Sequence, residues 1–335
     1  MTTQTLPQTM TAISHTTYGE ADSLASAELQ VPTPGPDQVL IRVDAAALNP
    51  ADVFMMRGRP RMLRLVGGLT RPKVQVRGTD VAGEIVAVGA KVEHWRRGDR
   101  VFGEAASGSM AQYATASADR IARIPDGVSA TDAAASVMAA LAARDGLDAA
   151  GMPADTSAEG TRVLIVGASG GIGSFAVQMA TAQGAHVTGV TSGRNADAVR
   201  ALGADAIVDY TRESVTDLPA WFDVIFDNVG AVPMESLHAL TTPTGVVLPN
   251  SGLDGADGGA MMRVLRANAR RYLLRRRYRS FYSGPSTAKL EAIGAGLVSG
   301  EITPLIDEVL PLDRGSEAMA RVASGHARGK VVLTP

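Results

Sequence analysis

The chain contains no cysteine. That excludes disulfides, thiolate zinc sites and cysteine nucleophiles, and it agrees with a reducing compartment. Histidine is scarce too. His15, His94, His186, His238 and His326 are the only five, and no two of them stand at a spacing suited to ligating one metal. Aromatic residues make up only 4%. No apolar run approaches the roughly 18 residues of a membrane span. Residues 1–15 show neither a basic start nor an apolar stretch after it, so no signal peptide is expected and the expected location is cytoplasmic. The net charge of −2 gives no general attraction to nucleic acid or anionic membrane. Internal repeats and low-complexity tracts are lacking as well.

What is present points to two domains. The 335 residues exceed one ordinary domain, and a hydrophobic content of 45% is ample for a core. The most informative stretch is Thr161 to Ser192. Val163-Leu164-Ile165-Val166 has the pattern of a strand buried on both faces. A turn with glycine at 167, 170, 171 and 173 follows at once. Ile172, Phe175, Ala176 and Met179 then recur at helical spacing, and the helix stops near Gly184. A second buried strand runs from His186 to Val190. Strand, glycine turn, helix and strand form the unit that holds a dinucleotide pyrophosphate on a helix N-terminus. Glycines let the backbone approach the diphosphate, while the unpaired amides of the first helical turn donate to it.

Around this unit the chain divides by pattern. Residues 10–135 are β-rich and punctuated by Gly and Pro, as in a small barrel-like domain, with strands expected at Val39–Val43, Glu84–Val88 and Gly98–Gly103. From Ser129 to Ala143 the sequence becomes alanine-rich and helical. Beyond Ser192, strands are expected at Ala206–Tyr210, Asp223–Asp227 and Gly245–Pro249, alternating with helices. A basic helix is expected at Met261–Leu274 and a sixth strand at Arg279–Tyr282. This alternation argues for a parallel, doubly wound sheet. Gly329 to Leu333 reads as a strand returning to the first domain. The fold class expected is therefore α/β: a β-rich domain from 1–140 and 285–335, and a six-stranded parallel sheet domain from 141–284.

Several motifs together resemble the medium-chain dehydrogenases/reductases, in the zinc-independent quinone oxidoreductase branch. They are Ala47-Leu48-Asn49-Pro50-Ala51-Asp52, Gly78-Thr79-Asp80-Val81-Ala82-Gly83-Glu84, Gly98-Asp99-Arg100-Val101, Gly167 to Gly173, Leu202-Gly203-Ala204-Asp205, Phe226-Asp227-Asn228-Val229-Gly230 and Gly329-Lys330-Val331-Val332. The resemblance covers nearly the whole chain. It implies a GroES-like first domain completed by the C-terminal segment, a Rossmann domain, an active site in the cleft between them, and a homodimer. Where zinc-bearing relatives carry a cysteine ligand this chain has Asn49, and where they carry a His-Glu pair it has Thr79-Asp80, which argues against zinc.

The cofactor expected is NADPH. A carboxylate at the end of the second strand would bind ribose hydroxyls and repel a 2′-phosphate. Gly189-Val190-Thr191-Ser192-Gly193-Arg194-Asn195 offers none before Asp197, whereas Ser192 can donate to a phosphate and Arg194 can pair with it. Tyr210 matches a family position near the adenine, or is an ordinary residue at a strand end. The expected cofactor-binding set is Asn49, Ser169, Gly170, Gly171, Ile172, Gly173, Ser192, Arg194, Tyr210, Asn228, Val229, Gly230, Ser251 and Lys330.

For catalysis the candidates are Asn49, Asp52 and Arg57. The asparagine matching Asn49 lies beside the nicotinamide ribose in relatives, although Asn49 and Asp52 also suit a turn. Arg57 or Arg59 can supply positive charge to a developing oxyanion, or stand solvated on a loop. Tyr113 is a possible proton donor or a strand residue packed in the core. Two departures stand out. No tyrosine lies between Gly19 and Gln112, where enoyl-thioester reductases place a donor, and Leu141-Ala142 replaces the common Leu-Thr pair. The stretch from Arg57 to Lys73 is both basic and apolar, while the arginines around 270–279 read as a solvated helix face. The activity expected is reduction of a quinone or an α,β-unsaturated carbonyl. The alternatives are a reductase tailored to one metabolite, or an NADPH-binding sensor without catalysis.

Overall fold

A computed structural model describes residues 6–250, 260–273 and 277–335. It forms two compact units: Met1–Met138 with Pro285–Ser299 and Ile306–Pro335, and Ala139–Gly284 with Gly300–Leu305.

The first unit begins with β1 (Thr9–Ser14) and β2 (Ala25–Gln30), paired antiparallel. Then come β3 (Gln38–Leu48), α1 (Pro50–Arg57), α2 (Leu63–Gly67), β4 (Asp80–Val88), β5 (Arg100–Ala105), β6 (Tyr113–Arg123) and α3 (Ala130–Ala150), whose second half enters the other unit. Strand β3 is the long axis. In its sequence QVLIRVDAAAL one face, Val39, Ile41, Val43, Ala45 and Ala47, is buried throughout, while Arg42 on the other face is exposed. It pairs antiparallel with β4 along most of its length, and its first half also pairs with β6. With β4–β5 and β5–β6 also antiparallel, the circuit β3-β4-β5-β6 closes and leaves no exposed edge.

The second unit holds β7 (Arg162–Val166), α4 (Gly171–Ala182), β8 (His186–Thr191), α5 (Ala196–Ala201), β9 (Ala206–Asp209), β10 (Phe222–Asp227), α6 (Met234–Ala239), β11 (Thr241–Pro249) and α7 (Ala260–Leu273). The sheet order is β11-β10-β7-β8-β9, every pair parallel. Strand order reverses between β7 and β10, and such a reversal leaves a crevice at the carboxyl ends of those two strands. Leu164, Val190, Phe222, Ile225, Leu237 and Val247 form part of the core beneath it. Helix α4 is buried all round from Gly173 to Ala180, with Phe175, Val177 and Met179 among the buried residues. Fully burying such a side chain contributes about 1.5–3 kcal/mol.

The sheet has five strands, not the six expected. At Arg279–Tyr282 no strand forms among the described residues; Tyr278 alone bridges to Val247, with Val247 N donating to Arg277 O and Arg279 N donating to Val247 O, each at 3.0 Å. Beyond it Ser280 Oγ donates to Asn268 Oδ1 at 2.9 Å, and Phe281 stacks edge-on against Phe226 at 5.9 Å. These side-chain contacts draw the chain off the sheet edge.

The last segment returns to the first unit as α8 (Thr287–Ser299), β12 (Ile306–Pro311), α9 (Gly315–Ala323) and β13 (Lys330–Thr334). Strand β13 pairs antiparallel with β3, Val331 opposite Leu48. That register sets Lys330 beside Asn49. Gly300–Leu305 belongs with the second unit. There Gln178 of α4 donates to Thr303 O at 3.0 Å and accepts from Thr303 N at 2.8 Å. No described helix is long and apolar enough to cross a membrane.

Candidate functional site

In the second unit the crevice is built from glycine outward. Gly167 ends β7 with φ 78°, a left-handed conformation that favours glycine. A methyl on Gly173 would lie 2.1 Å from Gly167 O. Only hydrogen there lets α4 begin directly against the turn. The extended Gly170 caps α4, whose opening residues Gly171, Ile172 and Gly173 present the free amides of a helix N-terminus. This set of backbone donors suits a diphosphate. Ser169 ties the turn to the next strand: its Oγ accepts from Thr191 Oγ1 at 2.8 Å and from Asn195 Nδ2 at 3.1 Å. Thr191 and Asn195 were not among the expected site residues, because both bonds cross from one strand end to another.

The loop after β8 carries the expected selectivity residues. Ser192 is buried and Arg194 is exposed, with no ion pair among the described residues. Tyr210 follows β9 and is exposed. A carboxylate is nearer this loop than the sequence suggested. Asp209 stands opposite Thr191 in the β8–β9 register, and a methyl on Gly193 would meet its Oδ2 at 2.4 Å. Asp209 Oδ1 accepts from Thr211 N at 3.0 Å and Thr211 Oγ1 at 2.7 Å. These bonds, with the Gly193 amide and Arg212, hold its carboxyl below the usual range.

Across the switch point, Asn228-Val229-Gly230 follows β10. Asp227 is fully buried and organises them: its Oδ1 accepts from Val229 N at 3.0 Å and Gly230 N at 2.9 Å. Its other oxygen pairs with Arg263 of α7, also fully buried, which donates to Gly230 O at 3.1 Å and Val232 O at 3.0 Å. Sequence reasoning missed Arg263, which reads as one of many helix arginines. Asn228 Oδ1 accepts from Asn250 Nδ2 at 3.0 Å, and Asn228 Nδ2 is a buried donor with no partner among the described residues. Ser251 lies outside the described residues.

In the first unit the structure gathers Asn49, Asp52, Asp80 and Lys330 into one buried cluster. Asn49 caps α1, and its amide donates to Asp52 Oδ2 at 2.8 Å, so both residues do brace the helix start. Thr79 Oγ1 donates to Asp52 Oδ1 at 2.8 Å. The Asn49 side chain is committed elsewhere. Its Nδ2 donates to Asp80 Oδ2 at 2.9 Å and its Oδ1 accepts from Lys330 Nζ. Lys330 Nζ is 3.1 Å from Asp80 Oδ2. Burial pushes the Asp52 carboxyl up to about 6, opposed chiefly by the Thr79 hydroxyl. Asp80 is also raised by burial, against the pull of the Lys330 ammonium. The Met138 amide favours the Asp80 charge as well, yet Oδ1 completes no full hydrogen bond.

The remaining candidates lie apart from this cluster. Arg57 pairs with Glu20, Nη2 to Oε2 at 2.7 Å. Tyr113 opens β6, half-buried, opposite Arg42. Leu141 and Ala142 are buried in α3. Near α2, Met62, Leu65, Val66 and Leu69 are exposed.

Known proteins resemble this chain throughout. Residues 35–126 match the model of the alcohol dehydrogenase GroES-like domain, and residues 202–333 match that of a zinc-binding dehydrogenase. The chloroplastic quinone-oxidoreductase homolog of Spinacia oleracea is 32% identical, covering 97% of this chain and 98% of that protein. The mitochondrial NAD(P)H oxidoreductase of Mus musculus is 33% identical over 89% of this chain and 82% of its own length. Among solved structures, the quinone oxidoreductase from Coxiella burnetii superposes with TM-score 0.84 at 26% identity, covering 98% of this chain and 99% of that one. One family description prints zinc. Asn49, where the resemblance implies a cysteine ligand in zinc-bearing relatives, here accepts from the Lys330 ammonium. No group of three or more His, Cys, Asp and Glu among the described residues can hold a metal ion. With its two-unit fold, its dinucleotide crevice and these relatives, the chain belongs to the medium-chain dehydrogenase/reductase superfamily, in its quinone oxidoreductase-like branch.

Proposed function

We propose that this protein is a zinc-independent, NADPH-dependent oxidoreductase that reduces a quinone or an α,β-unsaturated carbonyl. The observation that carries the reading is the glycine cradle at the switch point with an unpaired arginine, Arg194, on its rim. NADPH, when bound, supplies a hydride. The helix amides at Gly171 to Gly173 hold its pyrophosphate, and Ser192 and Arg194 hold its 2′-phosphate. Asp209 keeps its negative charge beside this loop, offset in part by the Thr211 donors and by Arg212 at 3.7 Å, so the reading requires Arg194 to outweigh it. Asp227 and Arg263 fix the loop that presents the free Asn228 amide. In the first unit Lys330 and Asp80 orient the Asn49 carboxamide, and Asp52 braces Asn49 from its backbone. A quinone and an enone both accept a hydride at carbon conjugated to a carbonyl, so one site chemistry serves both.

The test is loss of reduced-nicotinamide absorbance when the purified protein meets a panel of small quinones and enones. Turnover with NADPH well above that with NADH supports the reading. Tight NADPH binding without turnover across the panel sinks it in favour of a sensor, and turnover of a single panel member points to a tailored reductase. The reading also takes the protein as a cytoplasmic homodimer, which light scattering and cell fractionation test.

A further inference from the structure

Arg77 carries a charge that the fold buries and leaves without a partner. It lies between Val76, which bridges to Ser14 of β1, and the Gly78-Thr79 pair leading into β4. Only 6% of the residue is exposed, and its Nε has no hydrogen-bond partner. No acid of the described residues pairs with it, and Asp52 acts on it only from a distance. An arginine does not escape this position by losing its proton. A buried cation with unused donors is stable when an anion meets it.

Two more buried side chains beside it have unused polar atoms. Ser109 Oγ is fully buried without a partner, and so is His15 Nε2. Backbone bonds hold the three segments together: His15 N donates to Gln75 O at 3.0 Å, Met110 N to Arg77 O at 2.9 Å and Ser109 N to Gly78 O at 3.0 Å. The His15 Nδ1 faces Thr17 O at 2.9 Å and therefore carries the ring proton. Burial and the Arg77 charge keep the imidazole neutral, its pKa below the ordinary value. Tyr18 is not available, since its hydroxyl already donates to Gly68 O at 2.6 Å. The unused groups are thus two donors, the Arg77 guanidinium and the Ser109 hydroxyl, and one acceptor, the His15 Nε2 lone pair. A carboxylate matches that donor set, because its two oxygens accept in parallel from the fork.

We propose that Arg77, with Ser109, binds the carboxylate of an anionic substrate, so that the preferred acceptor is an α,β-unsaturated carbonyl compound bearing a carboxylate. Asp52 links the two places: it braces Asn49 and also acts on Arg77. The turnover part of this proposal rests on the reductase reading, whereas the binding part does not.

The probes are β-benzoylacrylate, an enone acid, and its neutral ethyl ester. Wild-type protein should show a higher kcat/KM for the acid. Arg77→Met should cut kcat/KM for the acid about 10- to 100-fold, the range for one lost charge-assisted contact, and leave the ester little changed. Ser109→Ala should lower the acid selectively and by less. Equal rates for acid and ester in the wild type, or equal losses of both in Arg77→Met, would overturn the proposal. If neither compound is reduced, calorimetric titration of β-benzoylacrylate into the NADP-loaded protein decides the site on its own. Saturable binding that Arg77→Met abolishes supports it, and no binding to the wild type overturns it. Should Arg77→Met fail to fold, the wild-type comparison and Ser109→Ala decide between the same two outcomes.

Discussion

Lys330→Met tests the buried cluster most sharply. In the native protein Lys330 is 3% exposed at its side chain and Asp80 is 0%, with 3.1 Å between Nζ and Oδ2. Removing the ammonium leaves a buried carboxylate with one remaining side-chain donor, Asn49 Nδ2 at 2.9 Å. Breaking a buried pair from one side costs about 3–5 kcal/mol. Removing both charges avoids most of that penalty, so Lys330→Met with Asp80→Asn should recover to within about 1–2 kcal/mol of the native protein. The penalty also depends on pH. Without Lys330 the Asp80 pKa rises further in the folded state, which then binds a proton more tightly than the unfolded chain. Stability of the single variant should therefore increase as pH falls, and decrease as pH rises. The assay uses one fluorophore. Trp95 is buried in the first unit, its Nε1 donating to Ala118 O at 2.8 Å, and Trp221→Phe leaves it as sole reporter. Guanidinium unfolding should then shift its midpoint down by roughly 1 M for the single variant. A shift within error of zero, or no recovery in the double variant, would mean that the Lys330–Asp80 pair does not stabilise the fold.

Three further outcomes follow from the same geometry. Asp52→Asn should flatten the pH dependence of stability. The native carboxyl has its pKa raised from 3.8 to about 6, so the folded state binds the extra proton in that window and stability falls as pH rises through it. The loss amounts to about 3 kcal/mol at most, and Trp95 fluorescence across about pH 4–7 reads the slope. Gly173→Ala should lower stability by about 1–3 kcal/mol through the clash at Gly167 O, and weaken NADPH binding at least about tenfold in fluorescence titrations. Arg194→Ala should weaken NADPH about 5- to 150-fold while NADH is barely altered, and equal losses for both would refute the 2′-phosphate assignment.

The glycine turn was legible in the sequence because its constraints are written in residue type. Only glycine tolerates the conformation at 167 and the approach at 173. The five parallel strands were legible for a similar reason, as short apolar runs flanked by turns. The sixth was not, because a strand-like tetrapeptide at Arg279–Tyr282 loses to side-chain contacts that no local pattern encodes. The cluster around Asn49 shows the same division. Asn49 and Asp52 stand three residues apart and read as a helix start. Lys330 meets Asn49 across 281 residues of chain, through a β3–β13 register that only the folded sheet fixes. Asp209 came beside Gly193 by the same kind of long-range pairing. Arg57, chosen for its charge, has that charge met by Glu20, while Arg77, beyond the basic stretch that ends at Lys73, carried no local signal.

Hydride transfer from NADPH without a metal is the step on which the proposed function depends. It is measured as NADPH oxidation by protein stripped with a chelator, with zinc content determined by mass spectrometry on the same sample. Sustained turnover of a quinone or enone is expected with zinc far below one per chain, unchanged when zinc is added back. Activity that disappears with the chelator and returns with stoichiometric zinc would contradict metal-free transfer.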